Sequence, residues 1–364
     1  MKKKKVIVGL SGGVDSSVSA WLLQQKGYHV EGLFMKNWED NDTIYQCSYA
    51  QDLYDTELVC KKLNIKLNIA NFSYEYWENV FRLCLIYYKL GYTPNPDVLC
   101  NKEIKFKVFL NFALKKLKAD YIATGHYVRS IIVDNNYYLL RGIDENKDQS
   151  YFLYTIDNNI LEKVLFPVGH LTKFQVRSIA NKINLSNANK KDSTGICFIG
   201  KKKFNSFISK YLKSKPGKIK SVNGNILGNH DGLIYYTIGQ RKGIGLGGIS
   251  GLLSKPWYVV DKDIINNVLI VTQNHKDKKL MSNIVIVNQV NWINQKKLNK
   301  PLQCTAKVRY QHKDIRCLVI PNKNDLLVYF YELVLAVTPG QSIVFYLSEY
   351  CLGGGFIKKC ILCE

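Results

Sequence analysis

The sequence predicts an α/β protein: a doubly wound parallel sheet over residues 1–200, a small central α/β connector over 201–274, and a C-terminal β-barrel over 275–364. Three observations carry this expectation. From Lys5 to about Leu117 strand-like and helix-like segments alternate in a βαβ rhythm. The first strand-like run breaks at "SGG" before a helix pattern begins, which puts a tight turn at the carboxyl edge of a parallel sheet, where such sheets hold ligands. Beyond Asn274 come short strands, "SNIVIV", "QCTAKVRY" and "LLVYFYE", separated by turn residues.

The elements follow in order. "VIVGL" reads as a buried strand and Ser16 to Gln25 as a helix; "VEGLFM" is the next strand and "AQDLYDTELVCKKLN" the next helix. A short strand "LNIANF" leads to a helix capped by Ser73, with Glu75 and Glu78 in its opening turns near the positive end of the dipole. Pro94 and Pro96 predict a rigid loop carrying Asp97 and Cys100. The helix from Lys102 to Leu117 then buries Ile104, Val108 and Phe112 and turns Lys105, Lys115 and Lys116 outward. "YIATGH" is a strand delivering Gly125 and His126 to the sheet edge of the first turn. After "FNSFISKYL" the chain becomes glycine-rich through "YYTIGQRKGIGLGG" before the barrel strands begin.

Composition narrows the function. With 364 residues, 46% of them hydrophobic, the chain can build more than one core. Lys and Arg number 51 against 29 Asp and Glu, a net charge of +22, which favours a polyanion such as nucleic acid because neutralising phosphates releases counterions. Coding bias toward Lys, Asn and Ile is a competing cause of that excess. "MKKKK" and the short apolar run after it do not make a signal peptide, and "LLVYFYELVLAV" is too short, and broken by Glu332, to span a membrane. Ten cysteines without framework spacing point to a reducing cytoplasm, so no structural disulfides are expected.

The turn "GLSGGVDSS" is built for an anion. Gly12 and Gly13 allow close approach to the main chain, a helix N-terminus follows, and Ser11, Ser16 and Ser17 add hydroxyls. Neither the dinucleotide pattern G-x-G-x-x-G nor a Gly-Lys-Ser/Thr turn is present. The stretch resembles the S-G-G-x-D-S loop of the PP-loop ATP pyrophosphatases, members of the adenine nucleotide α-hydrolase-like fold, which split ATP between the α and β phosphates and adenylate an acceptor. The resemblance implies ATP as the nucleotide, with Mg2+ accompanying it.

Two cysteines stand apart from the apolar helix positions of Cys60 and Cys84. Cys100 in "TPNPDVLCNKEIKF" lies beside a predicted helix start with Lys102 and Lys105 near, a setting that favours a thiolate; Cys197 in "DSTGICFIG" sits among small polar residues. Asp97 reads either as a general acid or base or as a turn cap, and His126 as a base, a phosphate donor or a plain loop histidine. Lys147, Asp148 and Gln149 read by themselves as solvated surface. Arg309 and Tyr310 can pair with phosphate and stack on a base, and Gln341 offers an amide to a base edge. Cys360 and Cys363 form a lone C-x-x-C without the four ligands of a zinc site, and read as terminal strand cysteines.

Taken together, "GLSGGVDSS", "FMKNW", "NPDVLCN", "ATGHY", "LLRGIDENKDQSYFL", "DSTGICFIG", "YYTIGQRKGIGLGG" and "AVTPGQSIVFY" resemble the tRNA-specific 2-thiouridylase family over nearly the whole chain. That resemblance implies a sulfurtransferase of the tRNA wobble uridine. Gly9, Leu10, Ser11, Gly12, Gly13, Val14, Asp15 and Ser16, with Met35 and Gly125, would hold ATP. Cys197 would receive a persulfide from a sulfur-relay protein fed by a cysteine desulfurase, and Cys100 would be the nucleophile, with Asp97 beside the base. Asn95, Pro96, Asp97, His126, Lys147, Asp148, Gln149, Arg309, Tyr310 and Gln341 would contact tRNA in its anticodon region. "VRYQHKDIRC" lacks the second arginine the family carries after Tyr310. An iron-sulfur thiolation enzyme needs three or four converging thiolates where these motifs supply two. A tRNA binder without catalysis is opposed by the intact Asp15, Cys100 and Cys197.

Overall fold

The structure is a computed structural model that describes residues 3–39, 43–192, 207–246 and 255–362, with backbone alone for 43–48. Its first layer is a parallel sheet of β1 (Lys5–Leu10), β2 (His29–Lys36), β3 (Leu67–Asn71), β4 (Tyr121–Ala123) and β7 (Val164–Leu165), in the order β3-β2-β1-β4-β7. The order reverses between β1 and β4, so the crevice between their carboxyl ends is the switch point of a doubly wound sheet. Val6, Ile7 and Val8 of β1 are fully buried, because helices cover both faces and a continuous apolar strand fits only there.

The helix after β1, α1, runs Val14–Gln25 and starts two residues before the pattern predicts, since Gly13 in extended conformation is its N-cap and supplies no side chain. The next, α2, covers Thr43–Leu63. Ser73 is the first helical residue of the following segment instead of its cap: Asn71 Oδ1 accepts the Ser73 N–H at 3.0 Å. That segment continues through a π-helical turn, Trp77–Phe81, into Arg82–Lys89.

The expected loop around Pro94 and Pro96 is also corrected. Helix begins at Pro96, with Asn95 as N-cap accepting the N–H of Asp97 at 3.2 Å and of Val98 at 3.3 Å. Proline is tolerated in this first position because its fixed φ suits the helix and its missing N–H would have had no intrahelical partner. Cys100 therefore lies on the helix, not before it. The run Pro96–Leu99 passes into ten π-helical residues, Cys100–Phe109, and ends as Leu110–Lys115. A π-helix turns each residue through a smaller angle than an α-helix, which rotates the buried face. Phe106 and Phe109 are consequently in the core beside Ile104, Val108 and Phe112 are half-buried, and Lys105 is turned inward.

The second unit is a four-stranded sheet, β10-β11-β8-β9, from β8 (Gly217–Ser221), β9 (Ile226–His230), β10 (Tyr258–Asp263) and β11 (Val268–Thr272), around Ile219, Val259, Leu269 and Val271. The third is a barrel of β12 (Met281–Trp292), β13 (Leu302–Lys307), β14 (Ile315–Asn322), β15 (Asp325–Leu335), β16 (Ser342–Leu347) and β17 (Tyr350–Ile361), closed by antiparallel pairing of β12 with β17. A hairpin of the first unit, β5 (Val128–Val133) and β6 (Asn136–Arg141), joins the barrel sheet through Leu139 and Leu140 against Cys351 and Tyr350. Sheet hydrogen bonds thus tie the barrel to the loop after β4. No helix of the described residues is long and apolar enough to cross a membrane.

Candidate active site

The site grows from the turn after β1. Gly12 has φ +71°, and a Cβ there would lie 2.6 Å from the carbonyl oxygen of Asp52 on α2. Ser16 Oγ and Ser17 Oγ donate to Gly13 O at 3.0 and 2.9 Å, and Ser16 Oγ accepts the Ser11 N–H at 3.4 Å, so the hydroxyls brace the turn. Asn187 Nδ2 donates to Gly12 O and Ser17 Oγ, both at 2.9 Å, from 175 residues away in the first case. Lys190 Nζ donates to Asp52 Oδ1 at 2.7 Å and Asp55 Oδ2 at 2.5 Å and so backs the turn with an ion pair.

Gly125, two residues after β4, closes over the same helix end. A Cβ on it would stand 2.7 Å from the Ser16 nitrogen and 2.8 Å from the Asp15 carbonyl carbon. Gly9 packs under Phe109, with the Met35 methyl 3.5 Å from where its Cβ would be. Leu10 and Val14 are buried and hold the turn to the core. Of the residues that the sequence assigns to the nucleotide, the turn from Ser11 to Ser16 and Gly125 meet at the crevice between β1 and β4, while Met35 stands on β2 beside Gly9.

An ionic network that short motifs do not reveal surrounds Asp15. Lys173 Nζ donates to both its carboxylate oxygens at 2.7 and 2.8 Å, and Tyr127 OH donates to Oδ1 at 2.7 Å. The same Lys173 ammonium lies 2.7 Å from Asp192 Oδ1, and Asp192 also accepts from Lys147 at 2.7 Å and Arg177 at 3.0 Å. Burial opposes ionisation of Asp192, but hydrogen bonds from Lys147 and Lys173 outweigh it and hold the carboxyl down at about 2. Because its folded value is depressed from 3.8, the stabilisation is complete above the unfolded value and is lost as pH falls through about 2. Thermal melts from pH 5 to pH 2 should show a decline that is shallower in Asp192→Asn; identical slopes would contradict the network.

The second cluster lies on the helix that starts at Pro96. Cys100 is 2% exposed, and Asn101 Nδ2 donates to Phe152 O at 3.2 Å. Burial pushes the Asp97 carboxyl up against the opposing field of Lys105. Lys105 Nζ is 3.4 Å from His126 Nε2, and Thr124 Oγ1 is 2.7 Å from Nδ1. An ammonium only donates, so Nε2 accepts and the imidazole proton sits on Nδ1, facing Thr124. Burial and the Lys105 charge hold His126 well below its ordinary range, so the buried ring is neutral. Burial pushes the thiols of Cys60 and Cys84 up to about 12, and Cys100, expected to stand apart from them, is instead buried in the same apolar cluster as Cys84.

Several side chains expected to face RNA also make hydrogen bonds within the protein, and of these Asp148 is buried. The Asp148 carboxylate is buried; Oδ1 accepts the N–H of Gly142 and Ser150 at 3.1 Å and Oδ2 accepts Ser150 Oγ at 2.9 Å. Gln149 Oε1 accepts the Tyr127 N–H at 3.0 Å. Gln341 Nε2 donates to Thr93 O at 2.7 Å, docking the barrel on the segment that leads to Asn95. Arg309 lies past the end of β13, and its Nη2 donates to Ile238 O and Ala336 O at 2.8 Å and Thr338 Oγ1 at 2.7 Å, bridging the second unit and the barrel. Arg309→Ala should therefore cost about 1–3 kcal/mol, since buried acceptors lose a charged donor. Urea unfolding measures this, and an unchanged midpoint would refute the bridging role. Tyr310 packs against Phe152 with ring centroids 4.5 Å apart and planes tilted by 43°. Cys360 lies on β17 with Sγ 3.5 Å from Val337 O. Cys197 and Cys363 lie outside the described residues.

A doubly wound sheet with an S-G-G-x-D-S turn at its switch point defines a HUP-type α/β protein. Residues 4–201 match the family described as tRNA methyl transferase HUP domain, 205–273 the tRNA methyl transferase PRC-barrel domain, and 282–357 the aminomethyltransferase β-barrel domain. The chain is 60% identical over 361 residues to the tRNA-specific 2-thiouridylase MnmA of Blochmanniella pennsylvanica, covering 99% of this chain and 98% of that one. It is 58% identical to the proteins of the same name from Pectobacterium carotovorum, over 98% of both chains, and Escherichia coli, over 98% of this chain and 97% of that one. The chain belongs to the tRNA-specific 2-thiouridylase family.

Proposed function

We propose that this protein is a tRNA 2-thiouridylase, an enzyme that activates the carbon 2 oxygen of the wobble uridine with ATP and replaces it with sulfur. The observation that carries the reading is one crevice, at the β1–β4 switch point, floored by glycines that a Cβ would obstruct and reached through full-length similarity to enzymes of that name. Uracil oxygen is a poor leaving group. Transfer of AMP to it, with pyrophosphate departing, makes it a good one.

The residues fit the nucleotide. The main chain at Gly12, Gly13 and Gly125 leaves room for phosphate at the N-terminus of α1, and Lys173 brings a cation to the same place. Magnesium, where bound, would neutralise phosphate charge. Asn95, Pro96 and Asp97 stand at the helix start beside Cys100, and burial of Asp97 suits it to hold a proton at the base. Lys147 and Tyr310 keep partial exposure for RNA.

For the sulfur step, Cys197 would carry a persulfide delivered by a relay protein. Its outer sulfur bonds to carbon 2 and AMP leaves with the oxygen; Cys100 then attacks the inner sulfur, the S–S bond to the transferred atom breaks, and a Cys100–Cys197 disulfide remains. Attack by Cys100 before transfer would instead release sulfide and leave the same disulfide. In either order a two-electron thiol reductant resets the enzyme. Mass spectrometry of unmodified tRNA incubated with protein, ATP, magnesium and a sulfur source tests the whole reading: 2-thiouridine with AMP is expected, and AMP without a sulfur-bearing nucleoside would overturn it.

A further inference from the structure

The helix that carries Asp97 and Cys100 also brings a cation to the nucleotide crevice. Lys105 lies one turn before Phe109, whose ring edge is 3.2 Å from where a Cβ on Gly9 of β1 would stand. Its Nζ donates to His126 Nε2 at 3.4 Å, one residue past Gly125, and Gly125 in turn presses on Asp15 and Ser16 at the start of α1. The π-helical segment thus crosses the paired strands β1 and β4 at their carboxyl ends and sets Lys105 at the switch point between them.

Lys105 differs from the other lysines near the crevice in its partner. Lys147 and Lys173 are held by Asp192, Lys173 also by Asp15, and Lys190 by Asp52 and Asp55. Lys105 is half-buried, yet no carboxylate among the described residues forms an ion pair with it, and its recorded partner is a ring kept neutral by burial and by the Lys105 charge itself. Asp97 feels the same field, but burial pushes its carboxyl up, toward the uncharged acid. Withdrawing an ammonium from water without a counterion is costly, so the fold keeps this charge for an anion that comes from outside. An ammonium has three N–H donors; one goes to His126 and two remain for that anion.

We propose that Lys105 is a catalytic residue of the activation step, donating to the α-phosphoryl oxygens of ATP while uracil oxygen attacks, with His126 as the positioning residue that aims it. The proposal rests on the thiouridylase reading above. In that step the bond from the carbon 2 oxygen to the α-phosphorus forms, the bond from that phosphorus to pyrophosphate breaks, and pyrophosphate leaves with the electron pair. The N3 proton of uracil passes to the Asp97 carboxylate, whose burial favours the protonated form. Nothing is oxidised or reduced. A cation placed beforehand where charge builds on phosphorus binds the transition state better than the ground state.

The test compares the full-length wild-type protein with Lys105→Gln on unmodified tRNA, ATP and magnesium, since glutamine keeps an N–H for His126 and removes the charge. The kcat for AMP formation should fall at least about a hundredfold, the scale of losing one preorganised donor to developing charge, while KM for ATP and the affinity for tRNA stay within about threefold. Lys105→Arg restores the charge and should recover at least about tenfold of the loss. Thermal melting checks each variant, and Lys105→Met takes the place of glutamine if that variant unfolds. Unchanged AMP formation would overturn the assignment; so would a raised KM for ATP at full kcat, or weakened tRNA binding with full turnover at saturating tRNA, which would make Lys105 a contact to RNA phosphate. Wild-type protein that forms no AMP would sink the thiouridylase reading and this assignment together, whereas equal rates in wild type and Lys105→Gln would sink the assignment alone.

Discussion

Cys100→Ser should cut 2-thiouridine formation by roughly a thousandfold or more, as expected when the nucleophile of a covalent route is replaced by a weak one, while AMP is still released. The argument starts from the frame around the residue. Cys100 is buried in a helix whose start is fixed by Asn95 accepting two backbone N–H groups and by Pro96 in the first turn. Replacing sulfur by oxygen changes one atom inside that frame and leaves the nucleotide crevice, built from β1, α1 and Gly125, untouched. A serine hydroxyl can neither break a persulfide nor end as half of a disulfide, so the reaction stops after activation. Quantifying thiolated and unmodified tRNA alongside AMP separates the two stages. Thiolation at the normal rate would remove Cys100 from the mechanism, and simultaneous loss of AMP release would mean the substitution had disturbed the fold.

How far the sequence could be read follows from how local each signal is. The strand, turn and helix from Lys5 to Gln25 are legible because a continuous apolar run, glycines and serines lie within one short stretch. The same holds for barrel strands such as β13 and β15, whose patterns are contained in each strand. Lys173, Tyr127 and Asn187 were not legible as site residues: each reaches the turn across more than a hundred residues, and an isolated lysine, tyrosine or asparagine carries no sign of its partner. A period of 3.6 residues points Lys105 outward, whereas the π-helix of Cys100–Phe109 rotates the face so that Lys105 meets His126 in the fold. Arg309 and Gln341 find their acceptors across units, at Ile238 and Thr93, which no local pattern announces, whereas Asp148 is drawn in by the donors of Ser150 and Gly142, two and six residues away.

Gly125→Ala should lower AMP formation at least about a hundredfold, the scale of loss expected when reacting groups are displaced by about an ångström. The added methyl would stand 2.7 Å from the Ser16 nitrogen and 2.8 Å from the Asp15 carbonyl carbon. These are main-chain atoms in the first turn of α1, and they cannot swing aside as a flexible side chain can. Either the loop after β4 lifts or the helix end retreats, and both movements spoil the N–H groups that a phosphate would use. Lifting the loop would also pull on Tyr127, two residues on, whose hydroxyl holds Asp15. Gly27→Ala is the matched control: its φ of +83° makes alanine strained, yet no atom lies within 4 Å of the added carbon. That variant should lose about 1 kcal/mol of stability, from forcing a side chain into the left-handed region, and keep its AMP formation. Calorimetric titration with ATP, paired with AMP release, distinguishes the two. Normal nucleotide affinity in Gly125→Ala would mean the phosphates lie elsewhere than the crevice between β1 and β4.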